Sequence, residues 1–383
     1  MSAAPSPLHC PHPQPLATPP YGVDELQPLL GFLREQKPVD ERITFPRGTV
    51  QPDGRLDMCK QNLGVVGCHE LTQALRGHPH LRSLMLGTDA IGDQGARAVA
   101  VLMPTTPNLH TVYLGCNAIG SEGVSHLAAA VIESPQVQSL WMKRNPIGPL
   151  GIRRLADMLK DAPHLRTLDL VHTQMDLDSL EYLMEALVAS PGVERLYLGG
   201  NVLDSRAVLS LKRLLERPGK LIGLYLNVNR LEDAGLEVLA EGLLHNTTLR
   251  ECGLGSNGLS PVAGDILAPV LRSHPTLERL ELGRSSSTKV LGASPNALGD
   301  GGVRSLAEAL PSASVLRHLE LDGNGITSQG QAALAEVIPQ SRLVSLKIEF
   351  PSPALLKALA DNLAQYGSPI MPEELAMIRS VYR

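Results

Sequence analysis

The side chains best suited to binding a ligand are aromatic rings that recur at one position of a repeated pattern. The chain has one tryptophan, seven tyrosines and three phenylalanines. Trp141 and three of the tyrosines are separated by multiples of 28 residues; these four residues, here called the aromatic stripe, are Tyr113, Trp141, Tyr197 and Tyr225. Each lies between two apolar residues, and alternation along a strand turns it to the opposite face. Rings with a polar atom are enriched where proteins grip partners, so we predict that the stripe faces solvent and binds a partner.

Charged residues flank the aromatic stripe. Asp169 occupies the stripe position of another unit, and the other predicted contact residues are Lys143, Arg144, Arg166, His172 and Arg195. Further along the chain the same face turns acidic, through Glu251, Glu278, Glu281, Glu320 and Asp322. A surface with both signs of charge favours a protein partner. Two other interpretations stay open: the rings can pack on one another across neighbouring strands, and the charges can be ordinary solvated surface.

No residue pattern indicates catalysis. Asp169 and His172 fall in one unit, but no nucleophile accompanies them. Glycine, serines, threonine and lysine between Gly283 and Lys289 superficially suggest a phosphate loop, yet the spacing G-x-x-x-x-G-K-[ST] is absent. We therefore predict a protein that is not an enzyme, with no catalytic residue, no cofactor and no metal.

The stripe is positioned by an internal repeat. The segment from Leu109, LHTVYLGCNAIGSEGVSHLAAAVIESPQ, becomes VQSLWMKRNPIGPLGIRRLADMLKDAPH after a shift of 28, and about ten units follow this register between Arg55 and Leu363. In each unit an alternating L-x-x-L-x-L predicts a short strand, and small or apolar residues at helical spacing predict an amphipathic helix. No single unit can bury its apolar side, so stacked units must share one core.

An asparagine recurs between strand and helix, at Asn117, Asn145, Asn201, Asn229, Asn257 and Asn324. Its amide can bond the backbone where the chain leaves the strand, so we predict a ladder of such side chains. After Leu282 the expected asparagine is delayed to Asn296, which leaves residues 284–295 as a loop insertion. A partner-binding loop and a neutral insertion explain it equally well.

The ends differ from the repeats. We predict a disordered Pro-rich tail at 1–20, a helix and hairpin cap at 21–54, the repeat array at 55–348 and a C-terminal helical cap at 349–383. Within the cap regions, helices are expected at 24–36, 353–365 and 373–382. The tail contains three metal-ligand types, His9, Cys10 and His12. A metal would need the tail to be held, so we interpret them as solvated.

Charge and cysteine usage narrow the setting. The net charge of −5 argues against nucleic-acid binding. No apolar run approaches the roughly 20 residues needed to cross a bilayer, so no membrane contact is expected. The N-terminus has no basic start followed by an apolar run, so no secretory signal is predicted. Five cysteines without paired spacing suggest reduced thiols and a cytoplasmic protein.

The pattern L-x-x-L-x-L-x-x-N-x-I-G-x-x-G-x-x-x-L-A-x-x-L, matched from Leu109 to Val131, resembles the ribonuclease-inhibitor-like class of leucine-rich repeats. The resemblance implies an α/β solenoid, a horseshoe with parallel strands on its concave face and helices on its convex face. Members of the class include the ribonuclease inhibitor and the Ran GTPase-activating protein. This chain lacks the cysteine richness of the former and the acidic tail of the latter. We expect a scaffold that holds a protein or peptide on the concave stripe; the alternative is a regulator of an enzyme, either an inhibitor or an activator of a small GTPase.

Overall fold

The computed structural model describes residues 19–190, 192–217 and 219–368. These form two compact units, an N-terminal unit up to residue 193 and a C-terminal unit from residue 194. In each unit short strands alternate with helices, which confirms the predicted α/β repeat fold.

The N-terminal unit contains strands β1 (Ile43–Thr44), β2 (Thr49–Val50), β3 (Arg55–Asp57), β4 (Ser83–Met85), β5 (Thr111–Tyr113), β6 (Ser139–Trp141) and β7 (Thr167–Asp169), and helices α1 (Val23–Arg34), α2 (Gly64–Ala74), α3 (Gly92–Leu102), α4 (Ser121–Ile132), α5 (Gly148–Leu159) and α6 (Leu177–Ala189). The C-terminal unit contains strands β8 (Arg195–Tyr197), β9 (Gly223–Tyr225), β10 (Glu251–Gly253), β11 (Arg279–Glu281), β12 (His318–Glu320) and β13 (Ser345–Lys347), and helices α7 (Val208–Leu215), α8 (Glu232–His245), α9 (Val262–Ser273), α10 (Gly299–Ala309), α11 (Ser328–Val337) and α12 (Pro353–Tyr366).

The strands of each unit pair in chain order. In the N-terminal unit β1 and β2 form an antiparallel hairpin on β3, and β3 to β7 are parallel. In the C-terminal unit β8 to β13 are parallel. Successive helices contact each other, so each unit has a strand layer and a helix layer. The middle strand residues, such as Leu84, Leu140 and Leu224, are fully buried between the layers.

The predicted asparagine ladder is confirmed, and Asn145 shows its geometry. The Asn145 Oδ1 accepts the backbone N–H groups of Asn117 at 2.9 Å and Ile119 at 3.1 Å. Its Nδ2 donates to the carbonyl oxygens of Leu114 and Met142, both at 2.9 Å. One side chain therefore satisfies four backbone groups from two successive repeats, and Asn145 itself is 1% exposed.

The ladder tolerates replacement by other short polar residues. Asp89 stands at the asparagine position of the unit before Asn117, and its Oδ1 accepts the N–H of Gln61 at 2.9 Å. Thr173 stands there two units later and donates to the Leu170 carbonyl at 2.9 Å. What the position requires is thus a short side chain that can bond the backbone at the strand end.

Successive helices are also linked, through an aspartate at the start of one helix that caps the next. The Asp93 Oδ1 accepts the N–H groups of Gly120 at 2.7 Å and Gly123 at 3.0 Å. Gly123 has no room for a side chain, because a Cβ there would lie 2.6 Å from the same Asp93 oxygen. Asp300 repeats the arrangement in the C-terminal unit, with Gly330. The carboxylate satisfies free N–H groups of the first helical turn and opposes the helix dipole.

The structure describes residues 19–54 and 349–368 of the two end regions. Helix α1 and the hairpin of β1 and β2 lie in the region predicted as the N-terminal cap, and α12 covers the helix expected at 353–365. That these elements cap the array stays a prediction. The predicted tail up to residue 18 and the helix expected at 373–382 lie outside the described residues. Among the described residues no helix is long and apolar enough to cross a membrane.

The insertion at 284–295 is fastened to the preceding repeat. The hydroxyls of Ser256 and Thr288 lie 2.6 Å apart, and the N–H of Ser285 donates to Ser256 Oγ at 3.0 Å. Thr288 and Leu291 are each 2% exposed, whereas Lys289 and Val290 are exposed. Thr288 and Leu291 therefore anchor the insertion in the core. The choice between a partner-binding loop and a neutral insertion stays open.

Replacing Asn145 with alanine should destabilise the protein strongly. The change leaves four buried backbone groups without their partner, so we expect a loss of at least about 3 kcal/mol in the free energy of unfolding. Urea unfolding followed by circular dichroism measures it. Asn108→Ala removes one exposed side-chain bond and should cost less than about 1 kcal/mol; equal losses in the two variants would show that the ladder has no special role.

Candidate functional site

The predicted column of stripe residues exists in the N-terminal unit. Met85 pairs with Tyr113, Tyr113 with Trp141, and Trp141 with Asp169 across β4 to β7. The preceding residue of each strand, such as Leu140, lies between the layers. By alternation the column lies on the other side of the strands, here called the strand face. The register derived from the sequence is correct.

The expected solvent exposure of this column is wrong. Tyr113 is 1% exposed, and Trp141 and Asp169 are fully buried. Part of the reason is that glycines leave room for the Tyr113 side chain: a Cβ at Gly87 would lie 2.6 Å from its ring, and a Cβ at Gly115 would lie 2.6 Å from its hydroxyl oxygen. These side chains are thus outside the leucine interior, but they are not an open surface.

Charged groups share this closed region. The ammonium of Lys143 lies 5.7 Å from the centre of the Tyr113 ring. Burial raises the pKa of Asp169 to about 6, although the charges of Lys143 and Arg144 and the N–H of Val171, 2.9 Å from Oδ1, oppose the shift. Burial also lowers the pKa of Lys143 against the attraction of Asp169. A carboxyl and an ammonium are therefore held together where water is scarce.

The other predicted contact residues of this unit lie at the two ends of the strands. Arg144 and His172 occupy equivalent positions just after β6 and β7, with φ of 55° and 54°, and the left-handed turn there directs the chain toward the helix. Arg144 is half-buried and His172 is 5% exposed. Arg166 lies just before β7 and is exposed. The structure therefore does not gather all the predicted residues of this unit at one site.

In the C-terminal unit, Tyr197 and Tyr225 form a stacked pair. Their ring centres are 4.3 Å apart and the planes are parallel. Tyr225 is 8% exposed and Tyr197 is half-buried. The Tyr225 ring fits between two glycines, since a Cβ at Gly223 or Gly253 would lie 3.2 or 2.9 Å from it. As in the N-terminal unit, glycines next to a tyrosine leave the space for its ring.

The carboxylate of Glu251 fixes the Tyr225 side chain. The Tyr225 hydroxyl donates to Glu251 Oε2, while Glu251 Oε1 lies 3.3 Å from Arg195 Nη2. Burial and the charge of Glu251 raise the pKa of Tyr225 well above its usual value, so the phenol keeps its proton. Arg195, predicted as a flanking contact, is 7% exposed and instead braces the ring pair through Glu251.

Arg279 and His318, which were not among the predicted contact residues, contact carboxylates of the predicted acidic face. Arg279 pairs with Glu281 at 2.6 Å and with Glu320 at 2.8 Å. His318 Nε2 lies 2.9 Å from the same Glu320 oxygen, and Lys347 lies 3.5 Å from the other. Arg279 and His318 each precede a stripe-position glutamate by two residues, so period-two alternation was the signal that could have located them.

These contacts shift the pKa values of Glu320 and Glu281 in opposite directions. Burial opposes ionisation of Glu320, but the His318 hydrogen bond and the charges of Lys347 and Arg279 outweigh it and lower its pKa to about 2. Burial and the nearby charge of Glu320 raise the pKa of Glu281 despite its bond to Arg279. The region is therefore a mixed ion-pair network. No group of three or more metal-ligating side chains is found within the described ranges.

The fluorescence of the single tryptophan should report burial. We expect blue-shifted Trp141 emission that iodide and acrylamide quench weakly in the native protein, because the indole is fully buried. Quenching should become strong in denaturant. Native emission that is quenched as readily as free N-acetyltryptophanamide would contradict the closed strand face.

Replacing Glu320 with glutamine should change the pH dependence of stability. The folded-state pKa of about 2 lies below the ordinary 4.5, so ionised Glu320 stabilises the fold above pH 4.5 and this stabilisation is lost as the pH falls toward 2. We expect Glu320→Gln to cost about 1–2 kcal/mol at neutral pH and little in acid, as measured by urea unfolding across pH. The matched change Glu336→Gln, at an exposed helix position, should leave the profile unaltered; a pH-independent effect of Glu320→Gln would refute the assignment.

Comparison with known proteins identifies the repeats. The family model described as "Leucine Rich repeat" matches residues 106–128 and 312–335, one stretch in each unit. No curated protein matches the sequence. Among solved structures, the leucine-rich repeat-containing protein LegL7 from Legionella pneumophila is similar, with a TM-score of 0.50 and 17% identity over 80% of this chain and 96% of that chain. At this identity the similarity concerns the fold alone. The chain carries leucine-rich repeats, and its fold is that of a leucine-rich-repeat solenoid.

Proposed function

We propose that this protein is a non-catalytic, cytoplasmic scaffold that binds a partner protein or peptide on the strand face, with no cofactor and without contact to nucleic acid or membrane. We assign its repeats to the ribonuclease-inhibitor-like class, which the 28-residue unit with a helix after nearly every parallel strand supports. Leucine-rich-repeat folds generally mediate protein–protein interaction, and the finer proposal concerns where a partner binds.

The observation that carries the proposal is the stacked pair of Tyr197 and Tyr225. The two ring centres lie 4.3 Å apart with parallel planes. The Tyr225 hydroxyl donates to Glu251, and Glu251 forms an ion pair with Arg195. A partner that covers Tyr197 would meet a flat surface whose side chains are already ordered, which reduces the entropy lost on binding. Tyrosine surrounded by such contacts is typical of residues that dominate binding energy.

In the N-terminal unit the same proposal gives different roles to the stripe residues. Tyr113 and Trp141 are buried, so we assign them to the support of their neighbours. Arg166 is exposed and Arg144 is half-buried, so a partner would contact these two cations first, whereas Lys143 lies in the closed region beside the Tyr113 ring. Of the four stripe residues expected to anchor a partner, we therefore keep Tyr197 as the anchor, supported by the Tyr225 ring.

Photo-crosslinking at Tyr197 tests the proposal. With p-benzoylphenylalanine in place of Tyr197, ultraviolet irradiation in the native cell should capture a protein partner identifiable by mass spectrometry. The same residue in place of Tyr182, a half-buried tyrosine of helix α6, is the matched control and should not capture that partner.

Affinity measurements on the captured partner complete the test. Tyr197→Ala should weaken binding by about tenfold or more, since a hot-spot ring contributes on the order of 2 kcal/mol, whereas Tyr197→Phe should bind nearly normally because the stack is kept. Tyr182→Ala should have little effect on binding. If the partner crosslinks equally from both tyrosines, or binds Tyr197→Ala as well as the native chain, the strand face is not the binding surface.

A further inference from the structure

A row of polar residues without any carboxylate borders the strand layer of the N-terminal unit. Just before each strand from β4 to β7, two residues on either side of a buried apolar residue point outward. We call these eight residues the strand-start rim. They are His80, Arg82, Asn108, His110, Gln136, Gln138, His164 and Arg166. This border contains two arginines and no acid, although the whole chain has a net charge of −5. The equivalent positions of the C-terminal unit carry both signs of charge, and there Arg250 pairs with Glu278 at 3.5 Å.

The inner members of the rim are fixed by backbone contacts. Asn108 donates to the Pro79 carbonyl at 2.7 Å, and Gln136 donates to the Met103 carbonyl at 2.9 Å. His164 is held in the same way, with Nε2 3.1 Å from a backbone oxygen of the neighbouring helix. These backbone contacts orient the side chains of three successive repeats.

The outer members present the positive charge. Arg82 and Arg166 are exposed, and His110 and Gln138 between them are half-buried. Arg82 makes no ion pair with any residue that the structure describes, and its stem rests on Gly54, where a Cβ would lie 2.8 Å from Arg82 Cγ. An exposed guanidinium whose stem is already positioned is well suited to a carboxylate from another molecule.

A cleft lies at the β4 end of the rim. Its volume is about 360 Å³, and Phe32, Val50 and Leu81 are among its apolar walls. Arg82 and His110 line the same cleft, which joins it to the rim. The volume is in the range that holds a bulky apolar group.

The other charges at the cleft are already balanced. Arg55 lies 3.5 Å from Asp53, and Lys37 lies 2.8 Å from Glu35. The positive charge at the cleft that no described ion pair balances is therefore that of Arg82. The cleft combines an apolar floor with a cationic border.

The spacing of the rim fits an extended chain. Neighbouring strands are about 4.8 Å apart, so the three steps from β4 to β7 place Arg166 roughly 14 Å from Arg82. An extended peptide covers that distance in about four or five residues, at roughly 3.3 Å per residue. Acidic side chains on one side of such a peptide can meet both arginines.

We propose that the strand-start rim and its cleft bind an acidic peptide segment of a partner protein, with an apolar side chain of that segment in the cleft and its carboxylates on Arg82 and Arg166. The site goes beyond the proposed use of the strand face, because it lies at the strand starts and needs neither Tyr197 nor Tyr225. Arg166 is common to both proposals, but their tests are separate: substitutions at Tyr197 test the strand face, whereas Arg82→Glu and Phe32→Ser test the rim and its cleft.

A defined probe tests the proposal. The fluorescein-labelled peptide EELEELEE should bind the full chain in fluorescence anisotropy, and the peptide KKLKKLKK should not. Binding should weaken as salt rises from about 50 to about 500 mM, because exposed charge pairs are screened. Arg82→Glu should weaken binding at least about fivefold, and Arg82→Glu with Arg166→Glu about 30-fold, through repulsion of the peptide carboxylates.

The controls separate this site from general charge effects. Arg97→Glu makes the same charge change at an exposed position of helix α3 and should leave the affinity unaltered. Phe32→Ser, at the cleft wall, should weaken EELEELEE but not a leucine-free EEEEEEEE peptide; circular dichroism confirms that each variant is folded. No binding by the native chain, an equal loss in Arg97→Glu, or displacement of the peptide by single-stranded DNA at equal charge concentration would each overturn the proposal.

Discussion

The architecture depends on one interaction, the bond of a short buried polar side chain to the backbone where each strand ends. Asn145 shows why: it accepts from one repeat and donates to carbonyls of two, so the repeats cannot slide or rotate past one another without exposing four unpaired groups. Because the amides of Asn229 and Asn296 bond in the same manner, the alignment of columns on each unit's strand face follows from this bond.

Alignment then determines which side chains can meet. On the strand face, aromatic rings lie over positions occupied by glycine, as Tyr113 does over Gly87 and Gly115. In the C-terminal unit the same principle places Tyr225 between two glycines and beneath Tyr197, where Glu251 holds its hydroxyl. Charges enter the remaining space only in pairs or networks, since an isolated buried charge would be costly. The proposed binding surface and the contacts that stabilise the fold therefore use the same columns.

The 28-residue period was sufficient to predict the strands, the ladder and the insertion before Asn296, because each follows from local alternation or from a break in register. It was not sufficient to predict exposure. Alternation tells which side of a strand Trp141 occupies, but burial depends on how neighbouring side chains lie, which single positions do not encode. The pairing of Arg279 with Glu320 was missed for a related reason: these residues are 41 positions apart and the insertion separates them.

We propose that a partner binds the strand side of the repeats. Hydrogen–deuterium exchange on the full chain, with and without the partner, measures this most directly. Binding should slow exchange in peptides that contain the strands, above all around Tyr197 and Tyr225, and leave the outer turns of helices α7 and α8 unchanged. Protection confined to the helices, with the strand peptides exchanging at their free rates, would contradict it.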